Sequence, residues 1–260
     1  MKNLMTFKSS LLLLSFTFLL MACDEEEDKP LVNMHYGQAV EFGDGTARSW
    51  VKTNGKGEPQ AIGVSLSKEA LQGLPSGEHL RTTHAVPYAY DVPLPQQADK
   101  TPFKHLVIDW NPQGHEPEGI YDRPHFDMHF YMISPEERMQ IGADDPKSEI
   151  FPPASQIPEG YIATPGSVPQ MGKHWADPAS EEYQGQEFTK TFIYGSYNGA
   201  FTFYEPMITL AYLQSEPNAT MAIKQPSELA KSGFYPMQYQ IKYDAAAEEY
   251  LIVLDQLTSR

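Results

Sequence analysis

Three of the eight histidines lie close together in the sequence, at positions 115, 125 and 129. The last two belong to residues 125–131, in which polar and apolar side chains alternate. Alternate residues of a strand share a face, so we expect His125, Asp127 and His129 to point the same way. The apolar residues between them would point to the other face, into a hydrophobic core.

These residue types suit a transition metal. Divalent transition metals take neutral imidazole nitrogens and carboxylate oxygens, and a catalytic site usually has three protein ligands and an open position. His125 and His129 could supply two ligands. His115, in a turn before the strand, and His174, in a long loop further along, could supply others. The sequence therefore predicts one site for Zn, Fe, Mn or Cu that includes His125 and His129.

Two carboxylates could complete this site or carry protons. Glu205 ends an apolar strand in the sequence and needs a partner if it is buried. Asp127 lies between two of the histidines. Each could be a ligand, a hydrogen-bond partner of an imidazole, or a general base. With an open metal position the site could activate water or oxygen, with Asp127 or Glu205 as the catalytic proton acceptor. The residues alone do not decide whether the protein is an enzyme.

Two other kinds of function suit the same residues. Clustered histidines often bond to each other and to tyrosines in clefts without a metal, so a non-catalytic module that binds a small ligand or a glycan is an alternative. A structural protein of the cell envelope is another. The aromatic candidates for a cleft are Tyr121, Tyr131, Trp175, Tyr194, Tyr197 and Tyr204. The isolated histidines are interpreted as surface or satisfied core residues: His35, His79, His84 and His105.

The N-terminus has the pattern of a bacterial lipoprotein signal peptide. Two lysines precede an apolar run over residues 11–20, which is too short for a stable membrane span. Ala22 and Cys23 follow, and a small residue before a cysteine resembles the lipobox, in which the cysteine is lipidated. We predict a signal peptide over residues 1–22 and lipidation of Cys23. Because Cys23 is the only cysteine, a disulfide within the chain, a cysteine-based zinc site and an iron–sulfur cluster are excluded.

An acidic tether is predicted to follow over residues 23–30. It has too little apolar content to fold, and it resembles the surface-export signals of some lipoproteins, although a plain flexible spacer has the same composition. The lipid would attach the protein to a membrane of the cell envelope, and we favour the outer membrane or the cell surface.

The remainder, residues 31–260, is predicted to be one all-β domain. Short apolar stretches alternate with turns rich in Gly, Pro and Asn, which gives about ten to twelve mostly antiparallel strands and one or two short helices. Hairpins are expected over residues 39–51 and 189–204, and a short helix over 134–139. Such a chain folds as a barrel or a two-layer sandwich. Residues 142–186 read as a long loop.

The composition excludes some partners. The net charge of −15 argues against nucleic-acid binding, which needs a basic face. No Gly-x-Ser-x-Gly elbow, phosphate-binding glycine loop or His-Glu-x-x-His motif occurs in the sequence. Homo-oligomerisation is compatible with the sequence.

One long block resembles a known family. Residues 114–131 follow the pattern Gly-His-x-Pro-x-Gly-x-Tyr-Asp-x-Pro-His-Phe-Asp-x-His-Phe-Tyr. With residues 110–113, 171–175 and 201–207, this block resembles an uncharacterised family of exported bacterial proteins, a domain of unknown function. The resemblance covers roughly residues 35–255. It implies a β-rich fold and no assigned activity.

Overall fold

The computed structural model describes Met1, residues 31–76 and residues 88–260. Cys23, the acidic tether and the rest of the predicted signal peptide lie outside these ranges, as do His79 and His84, so those interpretations stay predictions. The described residues from 31 to 76 and from 88 to 260 belong to a single compact unit. Within the described ranges, no helix has both the length and the apolar character needed to cross a membrane.

Most regular structure in the described ranges is β-strand. The strands are β1 (Val32–Tyr36), β2 (Val40–Phe42), β3 (Gly45–Asn54), β4 (Pro59–Ser67), β5 (Tyr88–Val92), β6 (His105–Asn111), β7 (His125–Tyr131), β8 (Ile162–Ala163), β9 (Lys173–Ala176), β10 (Lys190–Tyr197), β11 (Ala200–Thr209), β12 (Asn218–Ala222), β13 (Phe234–Tyr235), β14 (Gln238–Asp244), β15 (Glu249–Asp255) and β16 (Thr258–Ser259). The α-helices are α1 (Pro135–Met139) and α2 (Leu210–Gln214). Short 3-10 helices span Lys68–Leu71, Gln96–Lys100, Pro146–Glu149, Ala154–Gln156 and Glu181–Gln184.

The strands form two open sheets of seven strands and one small two-stranded sheet. Sheet A has the order β1-β3-β4-β15-β14-β12, with β2 also paired to β3. Sheet B has the order β5-β6-β7-β11-β10-β9-β8, and β13 pairs with β16. Every strand pair is antiparallel. The all-β class is therefore confirmed, as a two-layer sandwich rather than a barrel.

The main core lies between the two sheets. Phe42 of sheet A contacts Phe126 of sheet B, with 5.8 Å between the ring centroids. Phe192 of sheet B lies 5.0 Å from Tyr239 of sheet A by the same measure. Phe126 and Met128 of β7 are fully buried in this core, and burial of such a side chain contributes about 1.5–3 kcal/mol. The predicted apolar face of β7 is thus confirmed.

The opposite face of sheet B, which we call the outer face, is covered as well, because all seven residues of β7 are buried. Two apolar clusters of loop and strand side chains cover it. One cluster consists of Tyr121, Ala176, Phe188, Ile193 and Met207. The other consists of Val107, Tyr131, Met171 and Phe203. The polar side chains of β7 lie on this covered face.

The local turn and helix signals are confirmed. β2 and β3 form the first predicted hairpin, and β10 and β11 form the second. In the second turn Asn198 and Gly199 have φ angles of 50° and 82°, which these residue types tolerate. Helix α1 begins with a capping box between Ser134 and Glu137, and Pro135 occupies its first turn.

Two predicted elements differ from the structure. The sequence predicts separate strands over residues 200–204 and 207–213, but β11 runs through Pro206 and α2 replaces the end of the second predicted strand. β11 pairs with β7 on both sides of Pro206. The proline therefore removes only the one backbone hydrogen bond that it cannot donate. His174 lies on β9 rather than in a loop, because this four-residue strand pairs with β10 and is too short to show a sequence period. The described part of the chain contains sixteen strands, more than the predicted ten to twelve, and four of them have only two or three residues.

Candidate metal centre

The candidate site is built on three neighbouring strands of sheet B. In the β6–β7 register, Asp109 lies opposite Asp127, and Asn111 lies opposite His125. The β7–β11 register pairs Tyr204 with Phe130 and Met207 with Asp127, which sets Glu205 opposite His129. Cross-strand partners share a face. The sheet therefore collects these polar side chains on its outer face.

The first group of potential ligands, which we call the Asp127 triad, consists of His115, His125 and Asp127. Nε2 of His115 lies 3.2 Å from Oδ2 of Asp127, and Nε2 of His125 lies 3.1 Å from Oδ1. Ligand atoms around a tetrahedral metal with bonds near 2.1 Å lie about 3.4 Å apart. The spacing in the Asp127 triad is thus that of a ligand set.

Hydrogen bonds orient both imidazoles of this triad. Nδ1 of His115 lies 2.6 Å from the carbonyl oxygen of Glu116, and Nδ1 of His125 lies 2.6 Å from that of Arg123. A carbonyl oxygen only accepts, so each Nδ1 carries a hydrogen and donates it. In the neutral ring, each Nε2 then presents a lone pair to the Asp127 carboxylate. Such a contact between two acceptor atoms needs a cation or extra protons between them. Donation from the other ring nitrogen to a backbone carbonyl is the usual way in which metal-binding histidines are oriented.

A local turn holds His115 over the strand. Gly114 has a φ of 72°, and a Cβ there would overlap the backbone of Tyr121 and Arg123. The backbone N–H of His115 donates to the carbonyl oxygen of Tyr121 at 3.2 Å. Glycine at position 114 therefore allows the close turn that brings the imidazole to Asp127. The His115 side chain is 34% exposed, whereas that of His125 is fully buried.

The second group, which we call the Glu205 triad, consists of His129, His174 and Glu205. Oε2 of Glu205 lies 3.3 Å from Nε2 of His129 and 3.8 Å from Nε2 of His174. His129 and Glu205 are almost completely buried, and the His174 side chain is 16% exposed. Two imidazoles and one carboxylate again converge.

Asp109 supports the Glu205 triad from behind. Its Oδ2 lies 3.2 Å from Nδ1 of His129, the ring nitrogen that points away from Glu205. A carboxylate on the far nitrogen of a histidine is the usual arrangement behind a metal ligand, since it fixes the ring and raises its basicity. In the Asp127 triad, Asn111 has a related position and donates from Nδ2 to Oδ2 of Asp127 at 2.7 Å.

Buried polar atoms without a hydrogen bond are concentrated at this site. Among the described residues, twelve such side-chain atoms occur. Seven belong to the two triads and Asp109: Asp109 Oδ1 and Oδ2, His125 Nε2, Asp127 Oδ1, His129 Nδ1 and Nε2, and Glu205 Oε2. Six of these seven atoms lie 3.1–3.3 Å from one another in ion-pair contacts without hydrogen-bond geometry, and a shared cation would satisfy such an arrangement.

The pKa values of the Asp127 triad reflect attraction between its members. Burial is the largest influence on Asp127 and by itself raises its pKa, but His125 and His115 together hold that pKa well below its usual range. Burial also lowers the pKa of His115, whereas the Asp127 carboxylate raises it, to a net value of about 9.

In the Glu205 triad burial and charge oppose each other. Burial lowers the pKa of His129, but Glu205 and other neighbours raise it well above its usual value. Burial raises the pKa of Glu205 and of Asp109, and attraction to His129 offsets only part of this effect. Burial and the charge of His129 lower the pKa of His174 to about 3. His174 is therefore a neutral imidazole, the form that binds metals.

Aromatic rings enclose both triads. Phe203 lies 4.8 Å from His129 and 5.4 Å from His174, measured between ring centroids. A Cβ at Gly195 would overlap the Phe203 ring, so this glycine lets the ring pack closely against β10. Phe188 packs against His125 at 5.3 Å.

The aromatic candidates for a ligand cleft have different positions. Tyr121 and Tyr131 flank the triads, at 5.7 Å from His115 and 5.4 Å from His129. Trp175, Tyr194 and Tyr204 belong to the core between the sheets. Tyr197 donates from its hydroxyl to Oδ2 of Asp145 at 2.6 Å.

The structure places all the ligand candidates on the outer face of sheet B but divides them between two triads. The sequence predicted that His125 and His129 share one site, whereas they belong to separate triads. β7 is extended and sheet B is open, so no concave barrel wall turns these side chains toward one point. Sequence reasoning also missed Asp109 and Asn111, although two polar residues in an apolar strand were a signal. His105 was interpreted as isolated, but it stacks on Tyr131 at 4.6 Å.

Comparison with known protein families gives a partial match. Residues 54–110 match the sequence model of a family described as TTHB210-like, hypothetical protein TTHB210. The family has no assigned function. The matched segment includes Asp109 and ends before the first triad residue. No curated protein matches the chain, and neither does any solved structure.

Proposed function

We propose that this protein binds a divalent transition metal on the outer face of sheet B, through His115, His125, His129 and His174 with Asp127 and Glu205. The observation that carries the proposal is the contact of Asp127 with two Nε2 atoms whose rings already donate from Nδ1. Each of these contacts needs a proton or a cation between the two atoms, and a bound divalent ion would replace the protons on both Nε2 atoms.

The types of ligand atom narrow the choice of metal. Each triad offers two imidazoles and one carboxylate, which suits Zn²⁺, Fe²⁺, Mn²⁺ or Cu²⁺, and two histidines with one carboxylate is a common iron set. A bound metal would supply a Lewis acid that activates water or oxygen. Glu205 presents Oε2 to both imidazoles of its triad. Its other oxygen is the atom that could accept a proton in a catalytic reaction. Asp127 is less suited to this role, because its Oδ1 contacts His125 and its Oδ2 contacts both His115 and Asn111.

Metal binding is tested on purified protein. We expect elemental analysis to find transition metal in the protein as isolated, and chelator-treated protein to be stabilised against heat by added Zn²⁺ or Mn²⁺. His125→Gln should reduce this stabilisation. His35→Gln is the matched control, because His35 is on β1 and bonds to Thr53. Protein that contains no metal and whose melting temperature does not respond to any of the four metals would rule the proposal out.

The binding of a small ligand or a glycan is a separate candidate, supported by Tyr121 and Tyr131 beside the histidines. The same variant separates the two functions. Loss of metal uptake in His125→Gln with ligand binding intact would assign the site to the metal and the ligand to another surface.

We also propose that the protein is an exported lipoprotein of the cell envelope, lipidated at Cys23. The support is the sequence alone: the apolar run, the small residue before the cysteine and the acidic tether. Labelling with a fatty acid should mark the wild type, and Cys23→Ala should abolish the label and release the protein from the membrane fraction. An unlabelled wild type would contradict lipidation.

A further inference from the structure

From the proposed metal binding, on which this step rests, we infer that the two triads form one two-metal centre, with an enclosed ion at Glu205 and a more accessible ion at Asp127. The triads are adjacent on one strand. Asp127 and His129 are two residues apart on the same face of β7, which sets their Cα atoms about 7 Å apart. Two ions held by these side chains would therefore be neighbours.

Each triad is complete on its own. Each supplies two nitrogens and one oxygen within 4.8 Å of one another, and three protein ligands are the usual number for a catalytic ion. Each also contains buried atoms without a hydrogen bond, namely His125 Nε2 in the first and His129 Nε2 in the second, among the described residues. Neither ion has to share a ligand with the other.

The buried negative charge is large enough to hold two divalent ions. Asp109, Asp127 and Glu205 are 0%, 4% and 2% exposed. Within the described ranges, their ion partners within 4.0 Å are histidines alone, without a lysine or arginine. With every histidine neutral, one divalent ion against three carboxylates leaves a net charge of −1 and two ions leave +1, so a single ion reaches neutrality only with a proton on a histidine of the empty triad. Burial penalises uncompensated negative charge, and a net +1 favours a small anionic oxygen ligand between or beside the ions.

The two positions differ in access. The Glu205 triad is enclosed by Phe203, and Asp109 fixes His129 from behind. The Asp127 triad includes His115, whose side chain is 34% exposed. We expect the rigid, enclosed Glu205 triad to bind its ion more tightly, and the position beside His115 to exchange its ion more readily.

The experiment titrates chelator-treated, full-length protein with Zn²⁺ and with Mn²⁺. We expect two equivalents in two steps by calorimetry and elemental analysis. With two equivalents of Mn²⁺, the electron paramagnetic resonance spectrum should show interaction between neighbouring ions. Glu205→Gln should remove the tighter step, Asp127→Asn the weaker step, and His35→Gln neither. Thermal unfolding of each metal-free variant checks that it folds.

Each other result has a defined meaning. A single equivalent in the wild type, lost in both carboxylate variants, would overturn the two-metal centre but leave the proposed function standing. Two equivalents with the spectrum of isolated Mn²⁺ would also overturn it, since the ions would then be distant. Binding of no metal would contradict the proposed function itself.

Discussion

Asp109 and His129 are diagonal neighbours on one face of the β6–β7 pair, with 3.2 Å between Oδ2 and Nδ1. The opposite nitrogen of His129, Nε2, lies 3.3 Å from Glu205. The ring is therefore held between two carboxylates, both almost completely buried. Only one of them belongs to a triad, which makes Asp109 a positioning residue.

Asp109→Asn tests this role. The amide keeps the volume of the side chain but loses the charge that orients and polarises His129. We expect the affinity of the tighter metal site to fall about 10- to 100-fold, with the stoichiometry unchanged. Calorimetric titration measures both quantities. Asp145→Asn is a control, because Asp145 is paired with Tyr197 away from the triads. An unchanged affinity would show that Asp109 does not act through His129.

Gly195→Ala tests how the aromatic cover holds the Glu205 triad. The added Cβ would overlap the Phe203 ring, so we expect a loss of about 1–3 kcal/mol in the free energy of unfolding. Displacement of Phe203 should also weaken metal binding, because this ring contacts His129 and His174. Gly142→Ala is the matched control, since nothing lies within 4 Å of a Cβ there. Equal effects of the two substitutions on both measurements would contradict this packing.

The shared face of His125, Asp127 and His129 could be predicted from sequence because alternation along a strand is a local property. The division into two triads could not. It depends on which residue of β11 lies opposite His129 and on the pairing of β9 with β10, which are contacts between distant parts of the chain. Asp109 was missed for a related reason. Whether a carboxylate in a strand is buried or exposed can be judged only when the neighbouring strands are known.

Substitutions on the two faces of sheet B should separate effects on stability from effects on metal binding. Phe130 is fully buried in the core between the sheets, and Phe203 is fully buried on the outer face. We expect Phe130→Ala and Phe203→Ala each to lower the free energy of unfolding by about 3–5 kcal/mol, because both create cavities. Only Phe203→Ala should weaken metal binding. Denaturant unfolding and metal titration of both variants provide the measurements, and weaker metal binding in folded Phe130→Ala would argue against this separation.

Protons and metal should compete for the Asp127 triad. In the metal-free protein the pKa of His115 is about 9, above the value of about 6.5 for an unfolded chain. A histidine whose pKa is raised by folding stabilises the native state fully below pH 6.5, and this contribution is lost as the pH rises toward 9. We therefore expect the melting temperature of the metal-free wild type to fall between pH 6.5 and 9 more steeply than that of His115→Gln. Bound Zn²⁺ should flatten the wild-type curve, because the metal replaces the proton on Nε2. Parallel curves for the metal-free wild type and His115→Gln would show that His115 does not hold this proton.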